Sequence, residues 1–281
     1  MIQNTKQGST ILTIITICLN DRTALEKTIK SILEQTFWKE KNNIHKADCL
    51  IVDGGSTDST LEYIHDLKDW PLNISYISEP DNGIYDAMNK GIKLCHGKWI
   101  HFLNAGDIFS NTQSLGAVMD VLEKSPADIV YGNAVKYDKW HSEKTVPRKL
   151  ADIKKGMILC HQAVFFRKDI HKNYLYSSDY KLVSDYNTIL NLYMDGRKFE
   201  YANIDIVNYD MMGISGNDIL KTYEEIRRVR DAHGLIRHGF IDMLVHGYGI
   251  AKRKVLMGMP QALRWKIVSV KRKVTNQESV H

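Results

Sequence analysis

Gly97 to Phe109, GKWIHFLNAGDIF, is the stretch from which the fold can be read. Its apolar run, Trp99 to Leu103, predicts a buried strand, and Asn104-Ala105-Gly106-Asp107 stops that strand in a turn carrying one amide and one carboxylate. Polar oxygens at the end of a buried strand suit a ligand or a metal ion. The plainer alternative is a turn made by Asn104 and Gly106, with Asp107 capping the next helix.

Upstream of this strand the chain alternates between strands and helices. Ile11 to Leu19, ILTIITICL, is β-branched and almost wholly apolar, as a parallel strand covered on both faces should be. Asn20-Asp21-Arg22 ends it, and Leu25, Ile29, Ile32 and Leu33 then fall at helical spacing. Asp48 to Val52 predicts a second strand, followed by the turn Asp53 to Asp58 and a helix over 60–67. A third strand, Ile74 to Ser78, runs into the loop Glu79-Pro80-Asp81-Asn82-Gly83 and a helix over 84–95. Downstream come a helix over 112–123 and a strand over 128–137, after which the alternation weakens. The pattern predicts an α/β fold: a mostly parallel, Rossmann-like sheet flanked by helices.

With 281 residues, 43% of them hydrophobic, the chain can build a real core. It has no run approaching the roughly 18 apolar residues of a membrane span, and MIQNTKQGST lacks the basic-then-apolar order of a secretory signal, so a cytoplasmic protein is expected. Cys18, Cys49, Cys95 and Cys160 are scattered and expected to be reduced, without a zinc knuckle or a disulfide framework. The net charge of +5 is unevenly placed: Ile219 to His281 holds 13 Lys and Arg against 5 Asp and Glu, leaving the first 218 residues at −3. This predicts a main domain at 1–218 and a basic helical extension at 219–281. It argues against a nucleic-acid partner and for an anionic surface near the C-terminus.

In an open parallel sheet, ligands collect beyond the carboxyl ends of the strands, near the point where strand order reverses. The turns at 20–22, 53–58, 79–83 and 104–107 each follow a strand and can share one rim. Neither G-x-G-x-x-G nor a Walker loop follows the first strand, so a bound phosphate needs another holder. A divalent cation on Asp107 would neutralise it, and oxygen ligands favour Mg²⁺ or Mn²⁺ over Zn²⁺.

Four segments, TIITICLN, IVDGGSTDST, EPDNGIYDAMNKGI and GKWIHFLNAGD, occur in an order that resembles the family 2 glycosyltransferases of the GT-A fold. The similarity extends over roughly residues 10 to 215 and is strongest to bacterial exopolysaccharide enzymes of the colanic acid and amylovoran type. It implies inverting, metal-dependent transfer of a hexosyl or N-acetylhexosaminyl group. The donor would be a nucleotide-sugar, typically a UDP-sugar. The acceptor would be a hydroxyl of a glycan or lipid-linked molecule in surface polysaccharide synthesis.

The resemblance also implies roles. Asp53 would contact the base, Asn20 and Arg22 would line the nucleotide pocket, and Asp81 and Gly83 would pass near the ribose and phosphates. The anchor turn resembles the D-x-D motif, with Asp107 as metal ligand. Asn104 stands where the family commonly has Asp, and its amide oxygen could bind ribose or the metal. Ser184-Asp185-Tyr186 resembles the acidic motif of the catalytic base, so Asp185 would take the acceptor proton. His161-Gln162 fits the acceptor-side segment, and Ser215, in the loop Gly213 to Gly216, would touch phosphate. Structural alternatives stand beside these: a solvated turn for Asn20 and Arg22, a first-turn helix acid for Asp185, a satisfied buried imidazole for His161, and a plain surface loop at 213–216.

Phe240 to Val274 mixes apolar residues with Lys252-Arg253-Lys254 and Lys271-Arg272-Lys273. Such a segment suits an anionic leaflet, and it equally suits a helix packed on the main domain with a solvated basic face. Two other activities compete with glycosyl transfer. A nucleotidyltransferase would want a basic, glycine-rich loop where Asn20-Asp21-Arg22 stands, whereas a non-catalytic sugar-nucleotide-binding protein is compatible with Asn104.

Overall fold

A computed structural model describes residues 10–67, 72–137, 142–210, 218–236 and 240–260. The chain divides into two compact units, residues 1–147 with 157–211 and residues 148–156 with 212–281.

The first unit is a mixed α/β structure. Its strands are β1 (Leu12–Cys18), β2 (Ala47–Asp53), β3 (Ile74–Ser78), β4 (Trp99–Phe102), β5 (Ile108–Phe109), β6 (Ile129–Tyr137), β7 (Ser142–Thr145), β8 (Val164–Arg167) and β9 (Phe199–Asp210). Its helices are α1 (Arg22–Leu33), α2 (Thr60–Asp66), α3 (Ile84–Leu94), α4 (Ser114–Leu122), the short α5 (Lys168–His171) and α6 (Ser184–Met194). Strand order is β3-β2-β1-β4-β8-β6-β9-β5, with β7 beside β6. The long ladders are parallel: β2 with β1 and β3, β4 with β1, and β6 with β9. The shorter pairings of β8 with β4 and β6, β5 with β9, and β7 with β6 are antiparallel.

Every residue of β1 and β2 is buried, which is why both read as continuous apolar runs. Alternate β1 side chains serve opposite faces. Leu12 and Ile14 join Leu25, Ile29 and Ile32 of α1 and Trp99 on one side. Ile15 and Ile17 join Ala87, Met88 and Ile92 of α3 and Phe102 on the other. Cys18, Cys49 and Cys95 are buried thiols, and none of the four cysteines is in a disulfide.

Strand order reverses between β1 and β4, and the carboxyl ends of β1 to β4 carry the four polar turns on one rim. Because β8 runs antiparallel to β4, with Trp99 opposite Arg167, the residues before Val164 come to that same rim. The sequence pattern predicts none of β5, β7 and β9, yet all three form. The partners of β5 and β9 are distant in the chain, so no local pattern announces those ladders, whereas β7 closes a hairpin on β6.

In the second unit, α7 (Ile219–Ala232) and α8 (Phe240–Met257) accompany a 3₁₀ turn at Leu150–Lys155. Asp218 caps α7 by accepting the Lys221 N–H at 3.1 Å, Arg230 Nε donates to the Lys154 carbonyl at 3.0 Å, and Tyr223 stacks on His246 at 5.5 Å. None of the described helices is long and apolar enough to cross a membrane. Ser215 with its loop, and Lys271-Arg272-Lys273, lie outside the described residues.

Candidate active site

The turn after β4 is built by its backbone. Leu103 and Ala105 donate to the carbonyls of Ile15 and Ile17, extending the β1–β4 ladder past the strand end. Gly106 has φ 97°, in the left-handed region that a side chain resists. From α1, the buried Thr28 hydroxyl donates to the Asp107 carbonyl at 2.7 Å, lies 3.2 Å from that of Asn104, and accepts the Gly106 N–H at 2.9 Å. One threonine therefore fixes three residues of the turn. It sits on the buried stripe of α1, where it looks like an ordinary core position, so nothing in the sequence marked it.

Asp107 is partly buried, and Asn104 Oδ1 is a buried oxygen with no hydrogen-bond partner. An orphaned amide oxygen three residues from a carboxylate fits a hard divalent cation. No cluster of three or more His, Cys, Asp or Glu suited to a metal occurs among the described residues.

Asn20 has φ 49°, unusual for a residue other than glycine, and clips two turns together. Its N–H donates to Ser56 Oγ at 2.8 Å, and its Oδ1 accepts the Thr57 N–H at 2.8 Å. Arg22 bonds Glu26 at 2.6 Å and lies 5.7 Å over the Tyr63 ring. The Asp53 side chain is fully buried, and its carboxylate accepts the Gly55 and Ser56 N–H groups, the Ser78 hydroxyl at 2.6 Å and the Ser56 hydroxyl, so it braces the turn from inside. Asp81 holds the Gly83 N–H at 2.8 Å, and its carboxylate occupies the space that a Cβ on Gly54 would need, beside the half-exposed Leu19.

Asp185 lies in the first turn of α6, and its Oδ1 accepts the Tyr85 phenol at 3.0 Å. Burial and the Asp185 charge push the Tyr85 phenol far above its usual ionisation range. Tyr85 packs on Tyr176, ring centroids 5.4 Å apart. One turn beyond Tyr85, Asn89 grips the Tyr176 backbone twice, donating to its carbonyl and accepting its N–H, each at 2.9 Å. A pocket of about 350 Å³ is lined by Gly83, Tyr85, Asn89, Tyr176, Tyr180 and Lys181 among others. The contacts that make this cluster join residues 87 and 100 apart, so no local signal in the sequence marked it.

His161 does not face a ligand. It is 8% exposed, and its Nε2 pairs with the Tyr176 hydroxyl at 2.7 Å, which His171 also approaches at 3.3 Å. Gln162 uses its carbonyl on His101 Nε2 at 2.8 Å and its side chain on the Cys160 thiol at 3.1 Å. Burial lowers all three imidazoles, His101 to about 4 and His171 to about 3, so they are neutral near pH 7. The segment supports the site from beneath.

A mostly parallel sheet flanked by helices, with polar strand-end turns on one rim, is the arrangement of the GT-A glycosyltransferases, and the comparisons agree. The profile of glycosyl transferase family 2 matches residues 13–179, and the chain belongs to that family. It is 27% identical over 217 residues to a PGL/p-HBAD biosynthesis glycosyltransferase of Mycobacterium tuberculosis, covering 75% of this chain and 80% of that one. A second, uncharacterized M. tuberculosis glycosyltransferase is 27% identical over 230 residues, covering 79% and 84%. Among solved structures, S. aureus TarS 1–349 with UDP-GlcNAc superposes with TM-score 0.62 at 14% identity over 78% of this chain and 65% of its own. The mannosyltransferase PcManGT of Pyrobaculum calidifontis, with GDP-Man and Mn²⁺, gives 0.60 at 14% over 83% and 66%. The chain thus spans just under two thirds of each structure.

Proposed function

We propose that the protein is an inverting, metal-dependent transferase. It would move a hexosyl or N-acetylhexosaminyl group from a nucleotide-sugar, best a UDP-sugar, to a hydroxyl of a glycan or lipid-linked acceptor in surface polysaccharide synthesis. The orphaned Asn104 oxygen beside Asp107 carries this reading, because it asks for a cation where a diphosphate would lie. Asp107, with Asn104, would hold Mn²⁺ or Mg²⁺, and charge developing on the departing diphosphate would be offset there. Asn20 and Arg22 would border the nucleotide, and the Gly83 backbone would approach its phosphates. Asp53 would contact the base from the turn it braces, with Asp81, lying over Gly54 beside Leu19, as a second carboxylate able to accept a base N–H.

Asp185 would accept the proton of the attacking hydroxyl as it bonds to the anomeric carbon from the face opposite the leaving diphosphate. A single displacement of this kind inverts the centre. Acceptor selection would rest on the tyrosine-lined pocket, with His161 and Gln162 bracing it. Donor hydrolysis across a panel of nucleotide-sugars, with Mn²⁺ and with chelator, tests the assignment without needing the acceptor. Metal-dependent release of one nucleoside diphosphate is expected, and release of pyrophosphate from a nucleoside triphosphate plus sugar phosphate would indicate a nucleotidyltransferase instead.

Residues 1–218 would form the catalytic domain and 219–281 an extension that touches the inner face of the membrane. On α8, Leu244, Tyr248 and Val255 are 54%, 71% and 59% exposed and fall on one stripe at 100° per residue, with Lys252 and Lys254 to either side. An apolar stripe flanked by lysines suits an anionic bilayer surface.

A further inference from the structure

We propose that Tyr85 is a positioning residue that holds the Asp185 carboxylate in the orientation a general base requires. This rests on the reading of Asp185 as the base. Asp185 has no local anchor: the residue at the N-cap of α6 is Val183, which supplies no capping side chain, and an acid in a first helical turn is drawn back toward the unpaired amides. The 3.0 Å hydrogen bond from Tyr85, 100 residues away in sequence, supplies the missing constraint.

Tyr85 is itself held. Its ring rests on Tyr176, the Asn89 side chain fixes the Tyr176 backbone on both sides, and His161 fixes the Tyr176 hydroxyl. A phenol so placed is a useful anchor because it stays protonated wherever the base is ionised. Burial and the neighbouring carboxylate both disfavour its phenolate. The titratable groups that face Asp185 from the packed elements are Tyr85 of α3, Tyr176, and His161 before β8. His161 is kept neutral by burial, and Lys181 lines the same pocket four residues before Asp185. Tyr85 also lines the 350 Å³ pocket, so the residue holding the base borders the space in which an attacking hydroxyl would be presented.

The test uses the full chain and whichever nucleotide-sugar is hydrolysed fastest in the panel, with kcat, KM and the pH profile measured for wild type, Tyr85→Phe, Asn89→Ala and Asp185→Asn. Tyr85→Phe keeps the ring and its packing. It should lower kcat about tenfold, the cost of one hydrogen bond to a charged group, with donor KM and UDP binding unchanged. Asn89→Ala, which only loosens Tyr176, should give a smaller change of the same kind. Wild-type kcat in Tyr85→Phe while Asp185→Asn is inactive overturns the positioning role alone. An active Asp185→Asn overturns the base assignment and the positioning role with it.

Discussion

The two sides of the site are fixed by different means. On the donor side, single polar side chains hold backbone: Thr28 holds the turn of Asn104 to Asp107, Asp53 holds Gly55 and Ser56, and Asn20 holds Thr57. On the base side, the last links are side chain on side chain: Tyr85 holds Asp185, and His161 holds Tyr176, whose backbone Asn89 grips. A backbone-held turn keeps its shape when a ligand leaves or a surface residue changes. A side-chain relay is only as firm as its weakest member, and it is the side on which substitutions should alter chemistry without altering binding.

The sharpest test of this contrast is Asp185→Asn. It should bind UDP like wild type and lose about 10²–10⁴-fold in turnover, as removal of a general base does. A loss of UDP affinity in that variant would break the division between the two sides. Next in size, Thr28→Val removes a hydroxyl that serves both Asp107 and Gly106, leaving those groups unpaired. A drop of about 1–3 kcal/mol in urea-unfolding stability is expected, with weaker UDP binding. Unchanged UDP binding would mean that the turn does not need its brace.

Acid should weaken the base side first. His101, His161 and His171 have depressed values in the folded state, so the unfolded chain binds more protons below its ordinary histidine value of about 6.5. Their contribution is complete above that pH and is lost as pH falls toward about 4 and 3, the values for His101 and His171. Urea midpoints measured from pH 7.5 to 5 should decline below about 6.5, and more shallowly in His171→Asn if the protein folds. The smallest effect concerns the extension. In flotation with phosphatidylcholine vesicles containing phosphatidylglycerol, replacing Leu244, Tyr248 and Val255 by Ser should reduce the bound fraction while leaving donor hydrolysis intact; an equal bound fraction would remove the membrane assignment.

The donor side was legible in the sequence because each of its turns directly follows a buried strand, so strand, turn and helix could be read as local units. The turn of Asn104 to Asp107 was placed at the end of β4 this way, and so was the order of the first four strands' elements. The surroundings of Asp53 were not legible, because an acid at a strand end looks the same whether it faces a ligand or folds back on its own turn. Tyr85, Asn89 and Tyr176 were missed because their roles arise only when residues about 90 to 100 apart meet. His161 was noticed, but whether an imidazole binds substrate or braces a tyrosine depends on burial, which one sequence does not display. β5 and β9 were hidden for the same reason, since their ladders join distant segments.

The account stands most directly on the cation seat at Asp107. Calorimetric titration of UDP, with and without Mn²⁺, should show affinity that rises with the metal in wild type and an Asp107→Ala variant that melts normally but has lost that dependence. Equal Mn²⁺-dependent UDP binding by both proteins would contradict it.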